Sequence, residues 1–351
     1  MRWAVLMSAL ASACAAQCET LFSAASPWNI TVPATASARS AGIAAGWPVG
    51  LDTWDPNGYW VVPYYEASES DPLVPILYNP QAWMAVFAGS WRRSGNPRDV
   101  EAAIRASSSQ TFPFPGNVFS STSTSGWTMP PFYNQLMNGT SGAATFHVPS
   151  SEFLPPAGAD GHVAIRQPSG GVLEIYGTIV LSDQTIVALS YSVTDPAGLG
   201  DGWQRGQTAS MLPSYAGAIV DEEIGMGIRH AMSITVPAKL LAPQIAYPAF
   251  ALDRDAMTNA VPYSGALPMG SRLALPASIE VGDLRLVTDA GRAIAAAAKA
   301  YGFLIVDRGG EGITIRVRPT SSRSEPELYV YDARLNSDLA TIFAHLAVVS
   351  F

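Results

Sequence analysis

The stretch VAIRQPSGGVLEIY, residues 163–176, determines the fold more clearly than any other part of this chain. Two runs rich in branched apolar residues flank a Pro-Ser-Gly-Gly segment, which is the pattern of a β-hairpin. Similar runs occupy 144–149, 185–193 and 228–236. The sequence therefore predicts a mainly β protein, an antiparallel β-sandwich or jelly roll with a few helices.

The amino terminus has the features of a secretory signal peptide over residues 1–16: one arginine, an apolar run too short to span a bilayer, and small residues. We therefore expect a secreted, extracellular protein, with lipoprotein anchoring at Cys14 as the weaker alternative. Residues 17–351 are expected to form a single β-rich domain, with 20–60 as an irregular wrap over its body. A division into two domains near residue 140 is the alternative.

The composition excludes several classes of protein. Only 14% of residues are charged while 48% are hydrophobic, and glycine (30) and proline (27) are plentiful, which suits an extracellular β-rich chain. The net charge is −8 and no Lys/Arg cluster is present, so nucleic acid is not an expected partner. The sequence also predicts no membrane span, no cofactor, no metal and a monomer.

The hairpin gathers ionisable side chains that are scarce elsewhere. Asp160, His162 and Arg166 occupy alternate positions on its first strand, and Glu174 and Tyr176 do so on the second. Because alternate side chains share a face of a strand, we expect both sets to turn away from the core and to face one groove. The alternative is a solvated surface with a cross-strand Arg166–Glu174 pair.

Other candidate residues lie outside the hairpin. His230, in GIRHAMSITVP, is either a proton carrier at the end of a strand or a hydrogen-bonded core histidine. Asp307 follows the buried run FLIV, where a carboxylate either serves a site or caps a turn. Tyr301, which precedes this run, and Trp203, in the glycine-bearing loop after residue 194, are candidate substrate-binding residues.

An ordered set of short patterns resembles a family of secreted β-rich proteins. The patterns are Ser-Pro-Trp-Asn at 26–29, Ser-Asp-Pro at 70–72, Asp-Gly-His at 160–162, Ile-x-His-Ala at 228–231 and Tyr-Gly-x₄-Asp at 301–307. The resemblance implies no particular activity. It draws attention to residues already selected on chemical grounds, namely Asp160, His162, Glu174, His230, Tyr301 and Asp307.

The function expected from these residues is the cleavage of glycosidic bonds in a polysaccharide. Hydrolysis needs two carboxyl groups, for which Glu174 with Asp160 or Asp307 are candidates. β-Elimination needs a base and a cation, for which His162, Tyr176 and Arg166 are candidates. Hydrolysis is favoured because the acidic chain does not attract a polyanion. A non-enzymatic carbohydrate-binding or cell-wall-associated protein is the alternative, since nine tryptophans and thirteen tyrosines also suit sugar stacking.

Overall fold

A computed structural model describes residues 21–52, 54–55, 58–59, 61–78, 144–149, 161–188, 190–253, 256, 262–318 and 333–351. The strands in these ranges are β1 (Ser37–Ser40), β2 (Val49–Leu51), β3 (Trp54–Asp55), β4 (Gly58–Tyr59), β5 (Tyr64–Glu66), β6 (Leu73–Tyr78), β7 (Ala144–His147), β8 (Val163–Arg166), β9 (Val172–Tyr176), β10 (Ile179–Val180), β11 (Ile186–Ala188), β12 (Ser190–Thr194), β13 (Ile219–Val220), β14 (Met232–Pro237), β15 (Leu241–Ile245), β16 (Leu267–Met269), β17 (Arg272–Ala274), β18 (Phe303–Gly309), β19 (Ile313–Ile315), β20 (Val317–Arg318) and β21 (Ala347–Ser350). The helices are α1 (Asp221–Met226), α2 (Asp289–Ala300) and α3 (Ala333–Ala344), with 3₁₀ turns at Gly202–Gln204 and Val281–Leu284. A mainly β chain with few helices is therefore confirmed.

Three sheets account for most of these strands. Sheet I has seven strands in the order β1-β21-β17-β18-β14-β19-β2. Sheet II has the order β12-β9-β8-β5, and sheet III has the order β10-β11-β6-β7. The sheets are mixed and not antiparallel as the sequence predicts, since β14 and β18, β19 and β2, β5 and β8, and β11 and β6 pair in parallel.

The sheets stack in layers, and both faces of sheet II are covered. Helices α2 and α3 pack on one face of sheet I through a large apolar cluster that includes Ile294 and Phe343. On the opposite face, Leu304 of sheet I packs with Ala164 of sheet II. The other face of sheet II packs on sheet III in a further cluster that includes Ile165. The predicted hairpin is thus an interior layer of the fold.

Most predicted elements are present with small shifts in their bounds. The predicted strand at 228–236 begins at Met232, and the predicted helix after Thr288 is α2. Thr288 caps this helix, since its Oγ1 accepts a hydrogen bond from the Gly291 amide at 2.9 Å. Asp338 of α3 in turn accepts from the Thr288 hydroxyl at 2.6 Å, which joins the two helices. Within the described ranges, no helix is long and apolar enough to cross a membrane.

Candidate functional site

Three ionisable side chains lie on the face of sheet I that is opposite the helices. Asp52 directly follows β2 and Arg316 directly follows β19; these strands are parallel, with Leu51 opposite Ile315. Because Ile315 points into the helix-side cluster, the next residue in each strand points to the opposite face. Strand pairing therefore brings an aspartate and an arginine to the same end of two neighbouring strands. The third side chain is Asp307 of β18.

A β-bulge places Asp307 on this face. Ile234 of β14 pairs with Ile305, but the next residue, Thr235, pairs with Asp307, so β18 carries one extra residue at Val306. Without this bulge, simple alternation would send Asp307 to the helix side with Ile305. With it, the Asp307 carboxylate lies 3.2 Å from Nη2 of Arg316. The bulge thus creates an ion pair that alternation along β18 does not predict.

Arg316 is held firmly at the centre of this group. The residue is 6% exposed, and its Nη1 donates to the carbonyl of Ser214 at 3.1 Å. Its backbone amide donates to the carbonyl of Ser233 on β14 at 3.0 Å. The Asp307 Oδ1 atom accepts from the amide of Arg308 at 2.9 Å, which fixes the carboxylate as well. The guanidinium is therefore a fixed, largely desolvated positive charge.

Asp52 is the most perturbed carboxyl group on this face. It is 5% exposed, and its Oδ2 atom is buried without a hydrogen-bond partner among the residues that the structure describes. Burial raises the pKa of Asp52 to about 7; the positive charge of Arg316 opposes this shift, and the negative charge of Asp307 adds to it. One guanidinium thus pairs with one of two carboxyl groups, and the other, Asp52, keeps its proton below about pH 7.

Two aromatic side chains of the hairpin contact each other: His162, which directly precedes β8, and Tyr176 at the end of β9. Their rings lie 4.9 Å apart between centroids, with a tilt of 32°. Burial and the charge of Arg316 lower the pKa of His162 to about 3, so its imidazole is neutral at physiological pH. Because the charge of Arg316 contributes to the lowered pKa of His162, the imidazole lies close enough to sheet I to interact electrostatically with this guanidinium. A histidine with so low a pKa is a weak base.

We call Asp52, Arg316, Asp307 and His162 the inter-sheet polar site. Asp52, whose pKa burial raises to about 7, shares Arg316 with the ion-paired Asp307, and two carboxyl groups in such different surroundings suit general acid–base chemistry. Sequence reasoning found Asp307 and His162 but missed Asp52 and Arg316. The alternation in GITIRVR, residues 312–318, is a signal for Arg316, whereas Asp52 follows a three-residue strand with no periodic pattern.

Glu174 is not part of this site, and the prediction that it faces a groove is wrong. Its side chain is 0% exposed, because sheets I and III cover both faces of sheet II. Its oxygens accept hydrogen bonds from Thr194 Oγ1 at 2.9 Å, the Ser214 amide at 2.6 Å and the Gln207 amide at 3.2 Å. Burial raises the pKa of Glu174 against these hydrogen bonds. The carboxyl group ties the loop after β12 to sheet II.

His230 lies just before β14 and forms an ion pair. Its Nε2 is 3.0 Å from Oε1 of Glu223 on α1, and its Nδ1 is 2.9 Å from the Ala231 carbonyl. Both partners accept hydrogen bonds, so both ring nitrogens donate. Burial opposes protonation, but Glu223 and the Ala231 carbonyl outweigh it and raise the pKa of His230. His230 therefore anchors α1, and the hairpin groups are not among these hydrogen-bond partners.

We expect His230→Gln to destabilise the fold in a pH-dependent manner. A raised pKa of a histidine means that its stabilisation is complete below the unfolded value of 6.5 and is lost as pH rises through the folded value. Denaturant unfolding should therefore show a loss of about 1–3 kcal/mol at pH 6 and a smaller loss at pH 9. His345→Gln, an exposed histidine, is the matched control. Equal losses at both pH values would contradict the charged pair.

The remaining candidates are dispersed over the fold. Trp203 is 56% exposed on a 3₁₀ turn, so it is accessible to a ligand. The Tyr301 carbonyl at the end of α2 accepts a hydrogen bond from Arg272, and its ring is partly buried against an apolar cluster. Arg166 lies at the far end of β8 from His162 and lines a separate groove. Asp160 lies outside the described residues.

Neither a metal site nor a known relative identifies this site. Within the described parts of the chain, no group of three or more His, Cys, Asp or Glu residues is arranged to hold a metal ion. Comparisons with known protein families, with curated proteins and with solved structures find no match to this chain. The fold and the site together show a layered, mainly β protein with a cluster of buried ionisable side chains on the face of sheet I that is opposite the helices.

Proposed function

We propose that the protein is a secreted enzyme that hydrolyses glycosidic bonds in a polysaccharide, and that the inter-sheet polar site is its active site. Asp52 is the general acid, which protonates the leaving oxygen, and Asp307 is the carboxylate that acts as base or nucleophile. The observation that carries this proposal is the burial of Asp52, 5% exposed, on the same face as the Asp307–Arg316 ion pair, and this burial raises the pKa of Asp52 to about 7. Glycosidases commonly use two carboxyl groups in different protonation states.

The same geometry supports hydrolysis over β-elimination. Elimination needs a base strong enough to remove a carbon-bound proton beside a uronate. The pKa of His162, lowered to about 3 by burial and by Arg316, makes this imidazole a poor base. Arg316 is already engaged by Asp307 and by the Ser214 carbonyl. Arg316 is therefore not available to bind the carboxylate of a uronate substrate.

The test is the release of reducing ends from a panel of neutral and acidic polysaccharides by the purified full chain. Wild type is compared with Asp52→Asn, and with Asp283→Asn as a matched change at an exposed aspartate. The proposal requires turnover that Asp283→Asn retains and Asp52→Asn loses. Products with an unsaturated, ultraviolet-absorbing end would instead indicate elimination.

A non-enzymatic carbohydrate-binding function is the second candidate, and an exposed aromatic surface favours it. Trp203 and Tyr247 are 56% and 64% exposed, and the Trp203 ring lies 4.4 Å from that of Phe250, which supports it. Flat aromatic rings of this kind suit stacking against sugar faces, and their stiffness limits the entropy lost on binding.

Trp203→Ala is expected to weaken polysaccharide binding about tenfold, which corresponds to about 1.4 kcal/mol. Affinity electrophoresis or calorimetry on the same panel measures this change. Phe351→Ala removes another exposed aromatic ring and is the control. If Trp203→Ala loses binding while wild type turns over no polysaccharide, the non-enzymatic function holds; unchanged binding in Trp203→Ala contradicts a role for this surface.

A further inference from the structure

A groove of about 630 Å³ opens at the turn end of the β8–β9 hairpin. Its lining includes Leu21, Phe22, Arg166, Gly171, Thr194 and Asp195. Arg166 lies four residues along β8 from His162, which is about 13 Å at the usual rise of a strand. The groove is therefore separate from the inter-sheet polar site, and its volume lies in the range of small-ligand sites.

Two glycines form the hairpin turn beside this groove. Gly170 has a φ of +94° and donates its amide to the Gln167 carbonyl at 2.8 Å, which closes the hairpin turn. A Cβ atom on Gly171 would lie 2.8 Å from a methyl carbon of Val193, so β12 packs closely against the turn here, whereas a Cβ atom on Gly170 would meet no atom of the described residues within 4 Å. The turn thus presents backbone instead of side chains at this edge, which leaves room for a ligand to approach.

The floor of the groove is preorganised. Thr194 Oγ1 donates to the buried Glu174 carboxyl group at 2.9 Å and lies 3.1 Å from the Tyr215 hydroxyl. The ring of Phe22 stacks between Trp28 and Tyr215, at centroid distances of 6.5 and 5.9 Å. Because buried hydrogen bonds and stacked rings hold these residues, the groove does not need to order its floor on binding.

The lining combines charged and apolar groups. Arg166 contributes a guanidinium, whose planar fork matches a carboxylate. Asp195 is exposed and is oriented by the Ala197 amide, which donates to its Oδ1 at 2.8 Å. Val193 and Pro196 add apolar surface to the lining of the groove. A sugar ring that bears a carboxylate presents matching features: an anionic group, hydroxyls that donate, and C–H faces.

We infer that this groove binds a carboxylate-bearing sugar unit, with Arg166 on its carboxylate and Asp195 on its hydroxyls. This second ligand site goes beyond the proposed hydrolysis. It is measured as binding, so its outcome is distinguishable from the presence or absence of turnover. It also implies that polymers containing uronate residues are held by the protein in preference to neutral ones.

The test is a titration of the full chain with D-glucuronate, D-glucose and acetate, followed by NMR or calorimetry. We expect glucuronate to bind at least tenfold more tightly than either glucose or acetate. Arg166→Gln should weaken glucuronate binding at least tenfold, and Ser169→Trp, a change at an exposed turn residue of the lining, should block it. Asp52→Asn and the exposed-arginine control Arg39→Gln should leave it unchanged.

Each other outcome overturns the inference in a defined way. If acetate binds as tightly as glucuronate, the groove does not recognise the sugar ring. If glucose binds as tightly as glucuronate, the groove does not recognise the carboxylate. Loss of glucuronate binding in Asp52→Asn would place the ligand in the inter-sheet polar site. Retained binding in both Arg166→Gln and Ser169→Trp would place it elsewhere, and absence of glucuronate binding in wild type removes the site altogether. Thermal unfolding of each variant shows that the fold is intact.

Discussion

Asp52→Asn is expected to reduce kcat on the cleaved polysaccharide by about 10²–10⁴-fold, the usual contribution of a general acid. The carboxamide has nearly the shape of the protonated carboxyl group that it replaces, so the variant should fold. It cannot give up a proton to a leaving oxygen. The loss should therefore appear in kcat, while KM changes little.

The pH profile provides a second signature of the same residue. Since the pKa of Asp52 is raised to about 7 by burial, wild-type activity should fall as pH rises through this value and the acid loses its proton. The stability of the fold should fall in the same window. A carboxyl group with a raised pKa stabilises the native state below its unfolded pKa, and this contribution is lost as pH rises through the folded pKa.

Denaturant unfolding between pH 5 and pH 8 measures this contribution. We expect wild type to lose about 2 kcal/mol over this range from Asp52, and Asp52→Asn to lack that loss. Asp283→Asn should follow wild type in activity and in stability, since Asp283 is exposed. An Asp52→Asn variant that keeps its activity would remove Asp52 from the chemistry, whatever its effect on stability.

Glu174→Ala is expected to lower the free energy of unfolding by about 3–5 kcal/mol. The change removes a carboxyl group that accepts hydrogen bonds from Thr194 Oγ1, the Ser214 amide and the Gln207 amide, and it leaves a cavity between sheets I and II. Each buried donor that loses its acceptor carries a desolvation cost of about 1–3 kcal/mol. Denaturant unfolding of the purified variant measures the loss.

Two companion variants separate this structural role from catalysis. Glu66→Ala changes an exposed glutamate on strand β5 of the same sheet and should stay within about 0.5 kcal/mol of wild type. Glu174→Gln keeps the volume and one acceptor, so it should lose less stability than Glu174→Ala and keep its activity per folded molecule. A stable but inactive Glu174→Gln would return Glu174 to the list of catalytic groups and contradict the present assignment.

The sequence predicts the elements of this fold better than their arrangement. The hairpin, the strand at β14 and the helix α2 follow from alternation, turn residues and the Thr288 cap. The stacking of three sheets does not follow, because a strand buried on both faces can still carry a charged residue when that residue is fully hydrogen-bonded. Glu174 is such a residue, and its alternation with Leu173 and Ile175 resembles that of a solvated strand.

The candidate site was predictable only in part, for two physical reasons. Asp307 reaches Arg316 because of a bulge in β18. This bulge depends on the pairing of β18 with β14, two strands that are far apart in the sequence. Asp52 acquires its raised pKa from burial and from neighbours that are 255 and 264 positions away in the sequence, Asp307 and Arg316. Neither effect leaves a local pattern. His162 is predictable because it alternates with Asp160 and Arg166 along one strand of a chain in which charged residues are scarce.

The most direct test of this account is a carbon-13 NMR titration of the Asp52 side-chain carboxyl group, assigned by its absence in Asp52→Asn. The account predicts a midpoint at about pH 7, because burial and the Asp307 carboxylate together outweigh the charge of Arg316. A midpoint near the ordinary aspartate value of about 4 would show an ionised Asp52 at neutral pH and would contradict its assignment as the proton donor.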